Sequence, residues 1–144
     1  MDRKEFLHAL GIGSAALFAT YCLGGCKSDT PTPNELPVDG ISLDLNSAQY
    51  SSLKNNGAYL VLKNEKIVVA KTTAGAYVAV TLVCSHEGQE QVGYIANKNI
   101  FECSAHGAQF DTAGGGLNPK GAKGLRIYRT EINPTGDLLK IFNN

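Results

Sequence analysis

Two short stretches, Cys84-Ser85-His86 and Cys103-Ser104-Ala105-His106, each set a cysteine close to a histidine, and a glycine follows each pair, at Gly88 and Gly107. The other cysteines and the other histidine, Cys22, Cys26 and His8, fall within the first 26 residues, so the rest of the chain holds a single cysteine–histidine set. Thiolates and imidazoles are the side chains that hold soft and borderline metals. A site drawn from two stretches with sixteen residues between them constrains the fold. Both stretches must be loops, and the elements around them must bring the loops to one point.

The surrounding sequence supplies such elements. From residue 41 onward apolar residues alternate with polar ones or form short β-branched runs, which predicts strands over 41–45, 59–63, 66–72, 77–83, 100–103, 109–111, 125–132 and 138–142. Asn64-Glu65 is short enough for a hairpin turn, and residues 73–76, with Gly75, join the next pair. Residues 47–55 form the one expected helical turn, with Tyr50 and Leu53 directed inward. Sixteen glycines and no tryptophan fit a turn-rich β domain, so the expected fold class is all-β, an antiparallel sandwich or small barrel. Cys84 then ends the strand 77–83, and the second loop lies between the strands 100–103 and 109–111. Two loops at strand ends can converge.

Four such donors admit three chemical readings. A disulfide between Cys84 and Cys103 suits an exported protein but leaves both histidines unexplained. A closed zinc site would use two thiolates and two imidazoles, although common zinc fingers take a cysteine pair from one segment and a histidine pair from another. In a 2Fe-2S centre of mixed ligation two cysteines hold one iron and two histidines the other, so each loop must give one ligand of each kind. That is the order found here.

Cys84-x-His86, sixteen residues, then Cys103-x-x-His106-Gly107 closely resembles the motif of the Rieske family, and the resemblance extends over about residues 38–142. It implies the Rieske fold, a small cluster-binding subdomain on a larger antiparallel β base, and a Rieske-type 2Fe-2S cluster as cofactor. It also implies Cys84 and Cys103 as ligands of the buried iron, with His86 and His106 on the outer iron near the surface. Gly88, Gln89, Ala105, Gly107, Ala108 and Phe110 are then the residues packed around the ligands.

Four of these depart from the high-potential members of the family. Rieske subunits of quinol-oxidising cytochrome bc complexes carry a cysteine in each ligand loop that together form a bracing disulfide, and the matching positions here are Gln89 and Ala105. Those subunits also place a serine and a tyrosine, two and four residues after the second histidine, as hydroxyl donors to sulfur. Ala108 and Phe110 stand there instead. Donors to sulfur stabilise the reduced, more negative cluster, so the resemblance is to the low-potential, ferredoxin-like members. Gly114-Gly115-Gly116-Leu117-Asn118-Pro119-Lys120-Gly121 sits where the family has a proline-bearing loop over the cluster, with Lys120, Lys123, Arg126 and Arg129 nearby. Glu87, Glu90 and Glu102 are expected as surface charges.

The first 25 residues read as an export signal: the basic pair Arg3-Lys4, then a short apolar stretch from Ala9 to Gly25, below the roughly 18 residues of a spanning helix. Leu23-Gly24-Gly25-Cys26 resembles a bacterial lipobox, which implies lipidation of Cys26 as the mature N-terminus. Arg3-Lys4-Glu5-Phe6-Leu7 resembles a twin-arginine signal with lysine for the second arginine, an address for proteins that cross the membrane folded. Residues 26–38 hold three prolines among polar side chains and cannot bury a core, so they read as a tether. At about 3.1 Å per residue its residues 27–37 would span roughly 30 Å. Residues 39–144 are then the folded domain.

Lysine plus arginine and aspartate plus glutamate number 13 each, which gives no basic excess for nucleic acid. The sequence shows no mononuclear iron triad and no nucleotide-binding fingerprint. It is therefore expected to be an electron carrier or redox subunit rather than a complete enzyme, anchored to a membrane by lipid and facing the periplasm or another extracytoplasmic space. Its partners would be redox donor and acceptor proteins. The alternatives are a Rieske subunit of a larger membrane oxidoreductase, quinol-oxidising or of the arsenite oxidase type, and an envelope binding module that holds zinc or nothing.

Overall fold

A computed structural model of the chain describes residues 35–144. The expected export signal, the expected lipobox with Cys26, and the expected tether as far as residue 34 lie outside the described residues. The described strands are β1 Ile41–Asp44, β2 Tyr59–Leu62, β3 Ile67–Lys71, β4 Tyr77–Thr81, β5 Val92–Ile95, β6 Ile100–Cys103, β7 Ala108–Phe110, β8 Ile127–Ile132 and β9 Leu138–Phe142. They form a six-stranded sheet in the order β1-β9-β8-β4-β3-β2 and a three-stranded sheet β5-β6-β7, with every pairing antiparallel. The expected all-β architecture, a large antiparallel base carrying a small subdomain, is the one found.

The sequence of β3, Ile-Val-Val-Ala-Lys, explains why it lies in the middle. A continuous apolar run suits a strand covered on both faces. Ile67, Val68, Val69 and Ala70 are all 0% exposed. Ile67 and Val69 join one core with Leu43, Leu53, Leu139 and Ile141, whereas Val68 and Ala70 join a second with Phe101, Phe110 and both cysteines. Burying one such valine or isoleucine side chain is worth about 1.5–3 kcal/mol. The same strand thus ties the base to the floor of the small sheet.

The expected helical turn is a 3-10 turn at Ser51–Lys54, with Leu53 fully buried and Tyr50 packed against the first core. The β2–β3 turn needs four residues, 63–66, rather than the two expected. It closes with Lys66 N–H on the Lys63 carbonyl at 3.3 Å and holds Lys66 at φ 55. Strand β5, Val-Gly-Tyr-Ile, was not anticipated, because a glycine interrupts four residues that are already short for an alternation pattern. Val92 and Tyr94 are buried, and a Cβ on Gly93 would lie 3.4 Å from the Tyr59 hydroxyl. Tyr59 packs over Gly93 at ordinary contact distance, and the missing side chain there interrupts the alternation that would have marked the strand.

Leu36, just ahead of the expected domain boundary, is 7% exposed. Its N–H donates to Asn143 Oδ1 at 3.1 Å, and Asn143 Nδ2 donates back to its carbonyl at 2.8 Å.

Candidate metal centre

Strand β4 runs toward the first cysteine–histidine loop, and β6 turns through the second into β7. The two loops are built alike. The Cys84 carbonyl accepts from Gly88 N–H at 2.9 Å, and the Cys103 carbonyl accepts from Gly107 N–H at 2.8 Å. Gly88 and Gly107 take φ +73 and +74 with nothing within 4 Å of an added Cβ, so the left-handed backbone, not crowding, calls for glycine. Each loop is one turn from cysteine to glycine, with histidine third in the first and fourth in the second.

The loops meet twice. At the inner end Cys84 and Cys103, both free, are 2% and 0% exposed, and the two thiols lie within hydrogen-bonding reach of each other. Burial pushes the Cys103 thiol up, and the adjacent Cys84 adds to this, while the Ala105 and His106 N–H groups that point at its sulfur pull it down. At the outer end the His86 and His106 rings stand 5.2 Å apart, centroid to centroid, at 68°. Thiols in the core and imidazoles at the rim form the two-ended arrangement implied by the ligand order.

His86 Nδ1 and Ser85 Oγ are buried without hydrogen-bond partners. Buried polar atoms are rarely left so, and an imidazole nitrogen with its lone pair unspent inside a cysteine–histidine cluster fits a metal ligand. Glu87 Oε2 lies 3.3 Å from His106 Nε2. A carboxylate on the second nitrogen is the usual outer partner of a metal-ligating histidine. His86, Glu87 and His106 place their ligand atoms within 4.8 Å of one another. Two inward thiols and a buried, unpartnered imidazole nitrogen make the donor set suitable for an iron–sulfur cluster.

The residues around the ligands divide by burial. Ala108 and Phe110, on β7, are 0% exposed. Gln89 is exposed and Ala105 half-buried, and their loops carry no cysteine beyond the two described. A glycine-rich loop over residues 111–124 is laced onto the second ligand loop. Asn118 Nδ2 donates to the Gly107 carbonyl at 2.8 Å, while its Oδ1 accepts from Gln109 N–H at 3.2 Å and Gly121 N–H at 2.9 Å. Asn118 also caps the 3-10 turn Pro119–Gly121, and Lys120 Nζ donates to the His106 carbonyl at 2.6 Å. The Asn-Pro pair, as asparagine before proline is a favoured turn start, and the family resemblance that set residues 114–121 over the cluster are the sequence signals for this clamp.

A groove of about 540 Å³ lies on the flank of the subdomain, lined among others by Tyr59, Val61, Lys63, Ile95 and Ser104. Several of its polar groups are already paired: Glu90 with Lys66 at 2.6 Å, Gln91 with Ser104 at 3.0 Å, and Glu102 with Gln109 at 2.7 Å. The imidazoles do not line it.

Two such loops closing on one point of an all-β domain are the mark of an iron–sulfur protein of mixed ligation. The family model of the Rieske 2Fe-2S domain matches residues 45–129, more than half of the chain. The chain belongs to that family, and its cofactor is a Rieske-type 2Fe-2S cluster. It is 26% identical to the cytochrome b6-f complex iron-sulfur subunit of Synechococcus elongatus, over 99% of this chain and 83% of that one. Among solved structures it is similar to the ferredoxin of carbazole 1,9a-dioxygenase from Nocardioides aromaticivorans IC177, with a TM-score of 0.55 and 17% identity over 76% of this chain and 100% of that one. It also resembles a naphthalene 1,2-dioxygenase, with a TM-score of 0.52 and 25% identity, covering 74% of this chain but 27% of that one. Electron transfer is the activity that family membership supports.

Proposed function

We propose that the chain is a lipid-anchored electron-transfer protein of the bacterial envelope, in which Cys84 and Cys103 hold the inner iron and His86 and His106 the outer iron. The observation that carries this reading is the double meeting of the loops, thiol with thiol in the core and imidazole with imidazole at the rim, with His86 Nδ1 buried and unpartnered. The cluster, when bound, accepts and returns one electron. The chain's own residues do the remaining work. N–H groups of Ala105 and His106 point at the Cys103 sulfur, Phe101 and Phe110 keep water from the thiols, and the His106 side chain, 38% exposed, marks the face that meets a partner.

With no hydroxyl at Ala108 or Phe110, and no cysteine at Gln89 or Ala105, the midpoint potential falls in the lower part of the Rieske range, about −150 to +50 mV. The chain is organised as an export signal over 1–25, a lipidated Cys26 with its tether over 26–38, whose end docks on the domain through Leu36, and the cluster domain over 39–144. The test is the electron paramagnetic resonance spectrum of the dithionite-reduced protein together with protein-film voltammetry. A Rieske signal with a midpoint in that window is expected. A potential above about +200 mV sinks the low-potential assignment, and a colourless, silent protein with full zinc occupancy sinks the electron carrier.

A second reading, a subunit of a larger membrane oxidoreductase, is favoured by the likeness to the b6-f iron-sulfur subunit. Mild detergent extraction separates the two: a stoichiometric larger subunit that co-purifies makes the chain a subunit, and its absence leaves a free carrier.

A further inference from the structure

The loop over residues 111–124 does more than cover the second ligand loop, because it carries a cation to it. Leu117 N–H donates to the Gln109 carbonyl at 2.8 Å, and Asn118 bridges Gly107, Gln109 and Gly121. A Cβ on Gly121 would lie 2.3 Å from the Gln109 carbonyl oxygen, so the two backbones touch. Lys120 stands between these fixed points, and its ammonium rests on the carbonyl of His106 at 2.6 Å. Its stem therefore starts from a backbone pinned on both sides, and its charge is held against one ligand loop.

We infer that Lys120 raises the midpoint potential of the centre by placing a fixed positive charge beside His106. The inference rests on the ligand assignment proposed above. Adding an electron makes the centre more negative, and a cation held nearby favours that state. The hydroxyl donors absent at Ala108 and Phe110 would have acted in the same direction from the sulfur side, so Lys120 partly offsets their loss. Glu87, on the imidazole of the same histidine, opposes it and is left intact in the test.

The experiment measures the midpoint by protein-film voltammetry on the cluster-loaded protein for wild type, Lys120→Gln, Lys120→Arg and Lys123→Gln. Glutamine keeps a hydrogen-bond donor, one bond nearer the backbone, but carries no charge. The Gln variant should have a lower potential than wild type, and Arg should restore it. Lys123→Gln, which removes an exposed cation with no hydrogen bond to the ligand loops among the described residues, should shift it less. The gap between wild type and Lys120→Gln should shrink as ionic strength rises, because an exposed charge is screened. Unchanged potential in Lys120→Gln overturns the inference. So does an equal shift in Lys120→Gln and Lys123→Gln, which would make the effect one of general surface charge. A salt-independent shift shared by the Gln and Arg variants overturns it too, leaving Lys120 as a loop support. In each of these outcomes an intact Rieske spectrum leaves the ligand assignment standing; loss of that spectrum in wild type sinks the assignment and the inference together.

Discussion

Asn99 holds φ 53 between β5 and β6, and its Oδ1 accepts from the hydroxyl of Tyr94 at 2.6 Å. Asparagine tolerates that left-handed backbone better than other non-glycine residues, and here its side chain also satisfies a tyrosine that is 3% exposed. Asn99→Ala should destabilise the domain by about 2 kcal/mol, roughly half from backbone strain and half from the stranded hydroxyl, whereas Asn99→Gly should lose only the second part. Urea denaturation of the three proteins checks this. The same contrast explains which site residues were legible in the sequence. Cys84, His86, Cys103 and His106 are chemically unusual side chains, and their order alone says that each loop gives one of each kind. Asn118 and Lys120 are ordinary surface types, and their bonds to the Gly107 and His106 carbonyls depend on where a loop eleven or more residues away returns. Composition carries no record of that path.

The strands were legible where alternation or a β-branched run was unbroken, as in β3 and β4, and lost where a glycine interrupts a short pattern, as at Gly93 in β5. Glycines also separate two physical roles. At Gly121 the backbone is not left-handed, but a Cβ would meet the Gln109 carbonyl at 2.3 Å, so Gly121→Ala must push β7 and the 111–124 loop apart at a cost of roughly 1–3 kcal/mol. Gly88→Ala meets nothing and should cost about 1–2 kcal/mol of backbone strain alone. Thermal unfolding, read beside the cluster absorption, should show Gly121→Ala disturbing the site through its covering loop. The β8–β9 turn makes a prediction in pH. The Thr135 hydroxyl, then Asn133, hold the Asp137 carboxyl below its ordinary range. A depressed carboxylate stabilises the fold above its unfolded value near about 3.9, and that contribution fades as pH falls through the lower folded value. Asp137→Asn should therefore flatten the acid limb of the thermal midpoint against pH and leave the neutral region parallel to wild type.

At the scale of the whole molecule, β3 and β4 of the large sheet each feed two cores, one on either face, so cluster loss and unfolding should be coupled in one direction: unfolding releases the cluster, but the core of Leu43, Leu53, Leu139 and Ile141 can persist without it. Among the described residues no helix is long and apolar enough to cross a membrane. In the reading proposed, membrane attachment falls to Cys26. Cys26→Ala should move the protein from the membrane to the soluble fraction with its Rieske spectrum unchanged, and a variant that stays on the membrane would place the anchor elsewhere. The mutual hydrogen bonds of Leu36 and Asn143 bear on that arrangement. In mechanical terms they are a load path: a pull on the preceding chain is taken first by a staple to the other end of the domain and then by the β1–β9 ladder at one edge of the large sheet. The subdomain is carried at the opposite edge, by β3 and β2. Tugging on the leash strains the side of the fold that does not hold the electrons.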